Sequence, residues 1–307
     1  MTAALTVRNV RKRFGTVQAL DSASFELREG ELLGLLGPNG AGKTSLIRAI
    51  AGRLRLDDGS IDIGGKTLTP GSTHPDLGIV PQELAIYPNL TARENLEVFG
   101  RLYGVPPTDL RARVDRALEH AALGDRAAEP VKRFSGGMKR RLNIVCALLH
   151  QPRIVLLDEP TVGVDPQSRE RIYEMLAELQ RGGVSLLLTT HHLEEAEARS
   201  ERIVIVDHGK AIASGTLAEL VSTSLGASRV AIIRTSRALA LPSPMPAGVE
   251  ISDDGRTLRA AVDAGGGNLP ELTRLAALHG GGIDDISLHG ARLQDVFINL
   301  TGRDLRE

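Results

Sequence analysis

Short, unbroken apolar runs recur along the first two thirds of the chain: LLGLL at 32–36, LGIV at 77–80, RIVLLD at 153–158, SLLLTT at 185–190 and RIVIVD at 202–207. Apolar runs without alternation predict strands covered on both faces, as in a parallel sheet flanked by helices. The stretches between them carry helical spacing, and several helix starts are legible. Thr91 with Glu94 and Thr216 with Glu219 have the spacing of capping boxes, and Asp165 followed by Pro166 reads as an N-cap and first helical residue. The pattern predicts an α/β fold built on a largely parallel sheet.

Between about 84 and 150 the strand pattern gives way to helical segments, with Leu110, Val114 and Leu118 on one face, so a helical insertion is expected there. Beyond Leu220 come a linker, a Pro-rich patch PSPMPAG at 242–248, short strand-like runs, a helix near 269–279, and GGG turns at 265–267 and 280–282. The expected organisation is one domain over 1–222 and a small α/β accessory domain over 223–307. Near the end, Leu293, Val296, Phe297 and Leu300 repeat at helical spacing. Core packing is the expected use of that stripe, and a dimer contact is the alternative.

Composition narrows the partners. The 307 residues carry 37 Lys and Arg against 38 Asp and Glu, a net charge of -1, so no broad nucleic-acid footprint is expected and any phosphate must be bound locally. The only cysteine, Cys146, lies in the apolar stretch IVCALL, which excludes an internal disulfide and fits a buried thiol in a reducing compartment. No apolar run reaches the ~20 residues that span a bilayer, and MTAALTVRNVRKRF has no signal-peptide core, so a cytoplasmic location is expected.

Gly37-Pro38-Asn39-Gly40-Ala41-Gly42-Lys43-Thr44, followed by Ser45, is a GxxxxGK[ST] loop between a strand and a helical pattern. Its glycines let backbone N–H groups turn toward a phosphate, and the helix start adds positive potential. Lys43 is expected at the β- and γ-phosphates and the Thr44 hydroxyl on Mg²⁺. IVLLDEP at 154–160 supplies the acidic half: Asp158 to hold Mg²⁺ through water, and Glu159 to polarise the attacking water, on the argument that successive strand residues point to opposite sides. Phe134-Ser135-Gly136-Gly137-Met138 precedes a helix that Ser135 can cap, with the glycines exposing N–H groups to an anion. With three Tyr, five Phe and no Trp, Phe14 stands out in a polar, loop-like stretch as a platform for a base, with core packing the alternative.

Taken in series, FSGGM, the P-loop and IVLLDEP resemble the ATP-binding-cassette (ABC) family, whose signature is usually LSGGQ; Phe134 and Met138 depart from it, while Ser135 and Gly137 are kept. The resemblance covers about the first 220 residues. It implies a RecA-like P-loop ATPase with a β-rich N-terminal subdomain and a helical insertion. It also implies that Gln82 senses Mg²⁺ and water in a Q-loop, that Asp165 lies in the D-loop that crosses a dimer, and that His191 contacts the γ-phosphate. Phe14 occupies the family's A-loop position, where Tyr is usual. His192 is not carried over. ATP and Mg²⁺ are the implied cofactors, sandwiched between the P-loop of one copy and Ser135, Gly136 and Gly137 of another. SGGM and the tail LQDVFINLTGR resemble daunorubicin-resistance-type exporter ATPases, which implies an integral-membrane ABC-2-type permease subunit and a peripheral location at the inner membrane face. A non-transport regulator of ribosome or DNA, and an importer ATPase, are the competing readings.

Overall fold

The first strands form a long antiparallel hairpin, β1 (Ala3–Phe14) and β2 (Val17–Arg28), closed by the Gly15-Thr16 turn. The computed structural model describes residues 2–69, 71–226, 229–239, 249–252, 254–262 and 267–302. After the hairpin come β3 (Leu32–Leu36), α1 (Lys43–Ile50), β4 (Asp58–Ile63), β5 (Lys66–Thr67) and β6 (Leu77–Val80). Three α-helices follow, α2 (Ala92–Leu102), α3 (Pro107–His120) and α4 (Gly136–Cys146), with two single 3-10 turns between the last two and no strand between Val80 and Ile154. The unit then continues through β7 (Ile154–Asp158), α5 (Pro166–Arg181), β8 (Ser185–Thr190), α6 (Leu193–Arg199), β9 (Arg202–Asp207) and β10 (Lys210–Gly215).

Two sheets result. The antiparallel one has the order β2-β1-β4-β5, and the larger has the order β10-β9-β3-β8-β7-β6, with β6, β7, β8, β3 and β9 parallel to one another. The unbroken apolar runs are the strands of the larger sheet, and their alternate side chains serve two cores. Val155, Leu157, Leu186 and Leu188 join the helical core with Leu96, Val114, Leu118 and Leu142. Leu33, Leu35, Leu156 and Leu187 face the antiparallel sheet, against Leu5, Val7, Leu20 and Leu27. A strand buried on both faces has no polar position to spare, which is why the pattern reads as continuous.

The caps fall where the spacing put them. Thr91 and Glu94 form a reciprocal capping box at α2, and the Asp165 carboxylate accepts from the Ser168 amide at 2.9 Å at the start of α5, with Pro166 in the first turn. Phe14 differs from the loop-like reading: Arg11–Phe14 are the end of β1, paired with β2 through Phe14 and Val17. The hairpin partner supplies the backbone hydrogen bonds that the polar side chains gave no sign of.

The chain divides into two compact units, Met1–Ile212 and Ala213–Arg306. The second holds α7 (Leu217–Leu225), β11 (Arg229–Thr235), β12 (Val249–Ile251), β13 (Thr257–Val262), α8 (Leu269–Gly280), β14 (Ile283–Gly290) and α9 (Leu293–Thr301). Thr216 and Glu219 form the capping box of α7. The strands form an antiparallel sheet in the order β12-β13-β11-β14, with Leu272 and Ala276 of α8 packed on Ile233, Leu258 and Ala260. Of the stripe on α9, Leu293, Val296 and Phe297 are buried while Leu300 is 37% exposed, so three of the four are core residues. Gly280 closes α8, and Gly281 and Gly282 turn the chain into β14 with positive φ. PSPMPAG at 242–248, Gly265 and Gly266, and the residues after Gly302 lie outside the described residues.

Cys146 ends α4 at 2% exposure, and burial pushes its thiol far above the ordinary range. The native protein should therefore resist a thiol reagent at pH 8 and take up one label per chain only after denaturation; rapid native labelling would place the residue at the surface.

Candidate functional site

The carboxyl ends of three neighbouring parallel strands meet at one edge of the larger sheet. Leu36 of β3 pairs with Thr190 of β8, and Asp158 of β7 with Thr189. The loop after β3, the acidic pair after β7 and the histidines after β8 are thereby delivered to one place, the usual position of a ligand crevice in an open α/β sheet.

The loop after β3 turns into α1 at Gly42, whose φ is 104° and where an added Cβ would stand 2.6 Å from the Ala19 carbonyl oxygen. Glycine is required there on both counts. No side chain caps α1, so its first amides stay available to an anion. Lys43 is 5% exposed and folds back over the loop, its Nζ donating to the carbonyls of Gly37 at 2.7 Å and Pro38 at 3.1 Å. Burial lowers its pKa, and the negative charges of Glu159 and Asp158 oppose that shift.

Asp158 is buried and accepts a 2.8 Å hydrogen bond from the Thr189 hydroxyl. Burial pushes its carboxyl up, and hydrogen bonds from Thr189 and Thr44 and the charge of Lys43 work the other way. The Glu159 amide donates to the same Thr189 oxygen at 3.0 Å. Glu159 has φ 47°, so the strand ends at Asp158 and the two carboxylates diverge through a left-handed residue, not through strand alternation as the sequence argument had it. Its carboxylate gathers three groups: Oε1 lies 3.0 Å from His191 Nδ1 and 3.7 Å from Lys43 Nζ, and Oε2 accepts from Gln82 Nε2 at 3.2 Å. His192 instead sets its ring centroid 4.2 Å from that of His191, the two planes tilted by 40°, with its amide donating to the Thr190 hydroxyl.

Ser135, Gly136, Gly137 and Asp165 form a second group. Ser135 Oγ accepts from the Met138 amide at 3.3 Å and caps α4. An added Cβ at Gly137 would stand 2.1 Å from Ser168 Oγ on α5, so only glycine lets the signature turn lie against the helix that Asp165 caps. Hydrogen bonds from Ser168 hold the Asp165 carboxyl below the usual range. Among the described residues, no hydrogen bond or ion pair links Ser135 or Asp165 to the Lys43–Glu159 group. Phe14 is 49% exposed, with Lys12 Nζ 5.6 Å from its ring centroid, so core packing is excluded.

Two members escaped the sequence. Thr189 binds both acidic residues, and its signal was a hydroxyl inside an otherwise apolar run beside a strand ending in Asp. Arg140 is 4% exposed and donates to the carbonyls of Pro81 at 2.9 Å and Glu159 at 3.1 Å. In the run Lys139-Arg140-Arg141 nothing local sets it apart.

Comparison with known proteins agrees with this arrangement. Residues 20–162 match the ABC transporter family. Over 99% of its length the chain is 36% identical to the linearmycin resistance ATP-binding protein of Bacillus subtilis (strain 168), covering 100% of that protein. It is 37% identical to a daunorubicin resistance ATP-binding protein of Streptomyces coeruleorubidus, over 99% of this chain and 97% of that one. A dimeric ATP-binding cassette solved in a post-hydrolysis state with ADP and Pi superposes with a TM-score of 0.61 at 26% identity, over 69% of this chain and 98% of its own. With its P-loop, acidic strand end and signature turn set on this fold, the chain belongs to the ABC transporter family, among its ATP-binding, ATP-hydrolysing proteins.

Proposed function

We propose that this chain is the ATPase subunit of an exporter, with the first compact unit as its nucleotide-binding domain and the second, which begins before α7 and so somewhat earlier than the expected residue 223, as an accessory domain. The observation that carries the reading is the Glu159 carboxylate, held among Lys43, His191 and Gln82 at the mouth of the P-loop. The amides of Gly37–Ser45 cradle the phosphates of ATP, and Phe14 stacks on the base. Lys43 exchanges the Gly37 and Pro38 carbonyls for β- and γ-phosphate oxygens. The Thr44 hydroxyl and the buried Asp158 carboxylate are hard oxygen donors suited to Mg²⁺, with Gln82 beside them. When bound, that ion neutralises charge on the phosphate oxygens. Glu159, released from Lys43, accepts a hydrogen bond from water and orients it for in-line attack on the γ-phosphorus. His191 and Lys43 stabilise the charge that develops on the transferring group.

Ser135, Gly136, Gly137 and Asp165 serve the ATP of a second copy. Their separation from the Lys43–Glu159 group and the dimeric solved cassette support that reading. The partner is an integral-membrane ABC-2-type permease subunit that holds the chain at the inner membrane face. In support, the relatives are named for drug resistance, and Leu84 and Tyr87, just beyond Gln82, are 43% and 47% exposed. No helix among the described residues is long and apolar enough to cross a membrane. Purified chain should hydrolyse ATP only with a divalent cation, and tagged chain should bring down an integral-membrane protein that alters this rate. Capture of ribosomes in place of a membrane protein would overturn the exporter assignment.

A further inference from the structure

Arg140 stands in the helix that starts at Ser135, yet it is spent on backbone atoms at the other end of the site. It is 4% exposed, and among the described residues it forms no ion pair; its two terminal nitrogens go to the carbonyls of Pro81 and Glu159. Burial lowers the pKa of this guanidinium, with the charges of Asp158 and Glu159 in opposition. A desolvated cation kept without a bound carboxylate is an unfavourable arrangement to maintain for packing alone. Its two acceptors have something in common. Pro81 is the residue before Gln82, and Glu159 is the residue with φ 47°.

A left-handed, non-glycine residue persists only where its surroundings fix it. Both peptide groups flanking the Glu159 α-carbon are held: the amide by Thr189 Oγ1 at 3.0 Å and the carbonyl by Arg140 at 3.1 Å. Those two bonds set the direction of the Cα–Cβ bond and so the arc the carboxylate can sweep. The same guanidinium fixes the peptide entering Gln82, whose amide contacts the same carboxylate at 3.2 Å. The carboxylate can therefore exchange Lys43 for water while its backbone stays in place.

We propose that Arg140 is a positioning residue: it ties the helix that presents Ser135, Gly136 and Gly137 to the backbone of Glu159 and of the Gln82 loop in the same chain. The inference rests on the assignment of Glu159 to the attacking water. The planar fork is what reaches two carbonyls on different segments, and an ammonium on a flexible stem does not hold both in a fixed geometry. Any movement of α4 as its N-terminus meets the nucleotide of another copy is thereby transmitted to Glu159.

The test measures kcat, KM and nucleotide affinity for Arg140→Lys and Arg140→Gln, alone and in the Glu159→Gln background. Each single variant should lose on the order of tenfold or more in kcat while the affinity for ATP stays within about threefold. In the Glu159→Gln background the same changes should lower the residual turnover by much less than in the unaltered chain, because the carboxylate that the Glu159 backbone and the Gln82 loop serve is already gone. Unchanged kcat in both single variants overturns the proposal, and so does a full additive loss in the double variants, which a general structural role would give. Arg140→Lys keeps the charge and most of the volume, so its melting temperature checks folding. If Glu159→Gln alone leaves turnover intact, the fault lies with the assignment of Glu159 and not with Arg140.

Discussion

Replacement of Glu159 by Gln is expected to cut steady-state ATP turnover by at least about 100-fold, the usual scale for losing a group that orients and accepts from the attacking water. Nucleotide binding should survive, and the geometry says why. The carboxylate lies 3.7 Å from Lys43 Nζ, so part of the lysine's charge is directed at Glu159. An amide removes that competitor and also a negative charge that would face the γ-phosphate, so ATP should bind as well or better. Gln keeps the size of the side chain, and its carbonyl can still accept from Gln82 or His191, so the fold should be unaffected. With binding intact and the exit through hydrolysis closed, ATP accumulates on whichever assembly it stabilises. Gel filtration with ATP should show a persistent dimer for the variant, while phosphate release measures the loss of turnover. Turnover equal to the unaltered chain would remove Glu159 from the chemistry.

The chain shows which parts of such a site a sequence can display. The P-loop and the acidic strand end are legible because each is contiguous and its glycines, lysine or carboxylates answer to one local demand. The parallel strands are legible because a face-to-face burial forbids polar residues. Arg140 and Thr189 are not legible in the same way. Their partners lie 19 and 30 residues away in sequence, at Glu159, and only the register of β7 beside β8 and the packing of α4 bring them there. The sequence of IVLLDEP implies that Asp158 and Glu159 diverge by strand alternation, whereas a positive φ at Glu159 separates them. Nothing in IVLLDEP announces that torsion, since it is imposed by bonds from two other elements. Phe14 reads as part of a loop for a similar reason: a strand made of Arg, Lys and Phe is stabilised by its hairpin partner, not by its own side chains.

Two disabled variants, mixed, should make a partly working enzyme. In Lys43→Ala the chain loses its phosphate-binding ammonium but keeps Ser135, Gly136 and Gly137. In Gly136→Asp it keeps the P-loop but carries a carboxylate at the start of α4. Gly136 suits this because an added Cβ meets only the Gly163 carbonyl oxygen at 3.8 Å, whereas Gly137 would collide with Ser168. The new carboxylate faces solvent at a helix N-terminus, which favours it in the isolated chain, so folding should be intact. It opposes only an anion arriving from another molecule. If each ATP is held by the P-loop of one copy and the signature turn of the other, a mixed pair has one site with both defects and one with neither. Each variant alone should be almost inactive, and an equal mixture should recover about a quarter of full turnover, with half the pairs mixed and half of their sites intact. The same pairs built on Glu159→Gln chains should trap one ATP each, a readout that does not depend on hydrolysis. If every mixture traps no more ATP than its parents, the site is not shared between copies, and Ser135 to Gly137 serve something other than the nucleotide of a second chain.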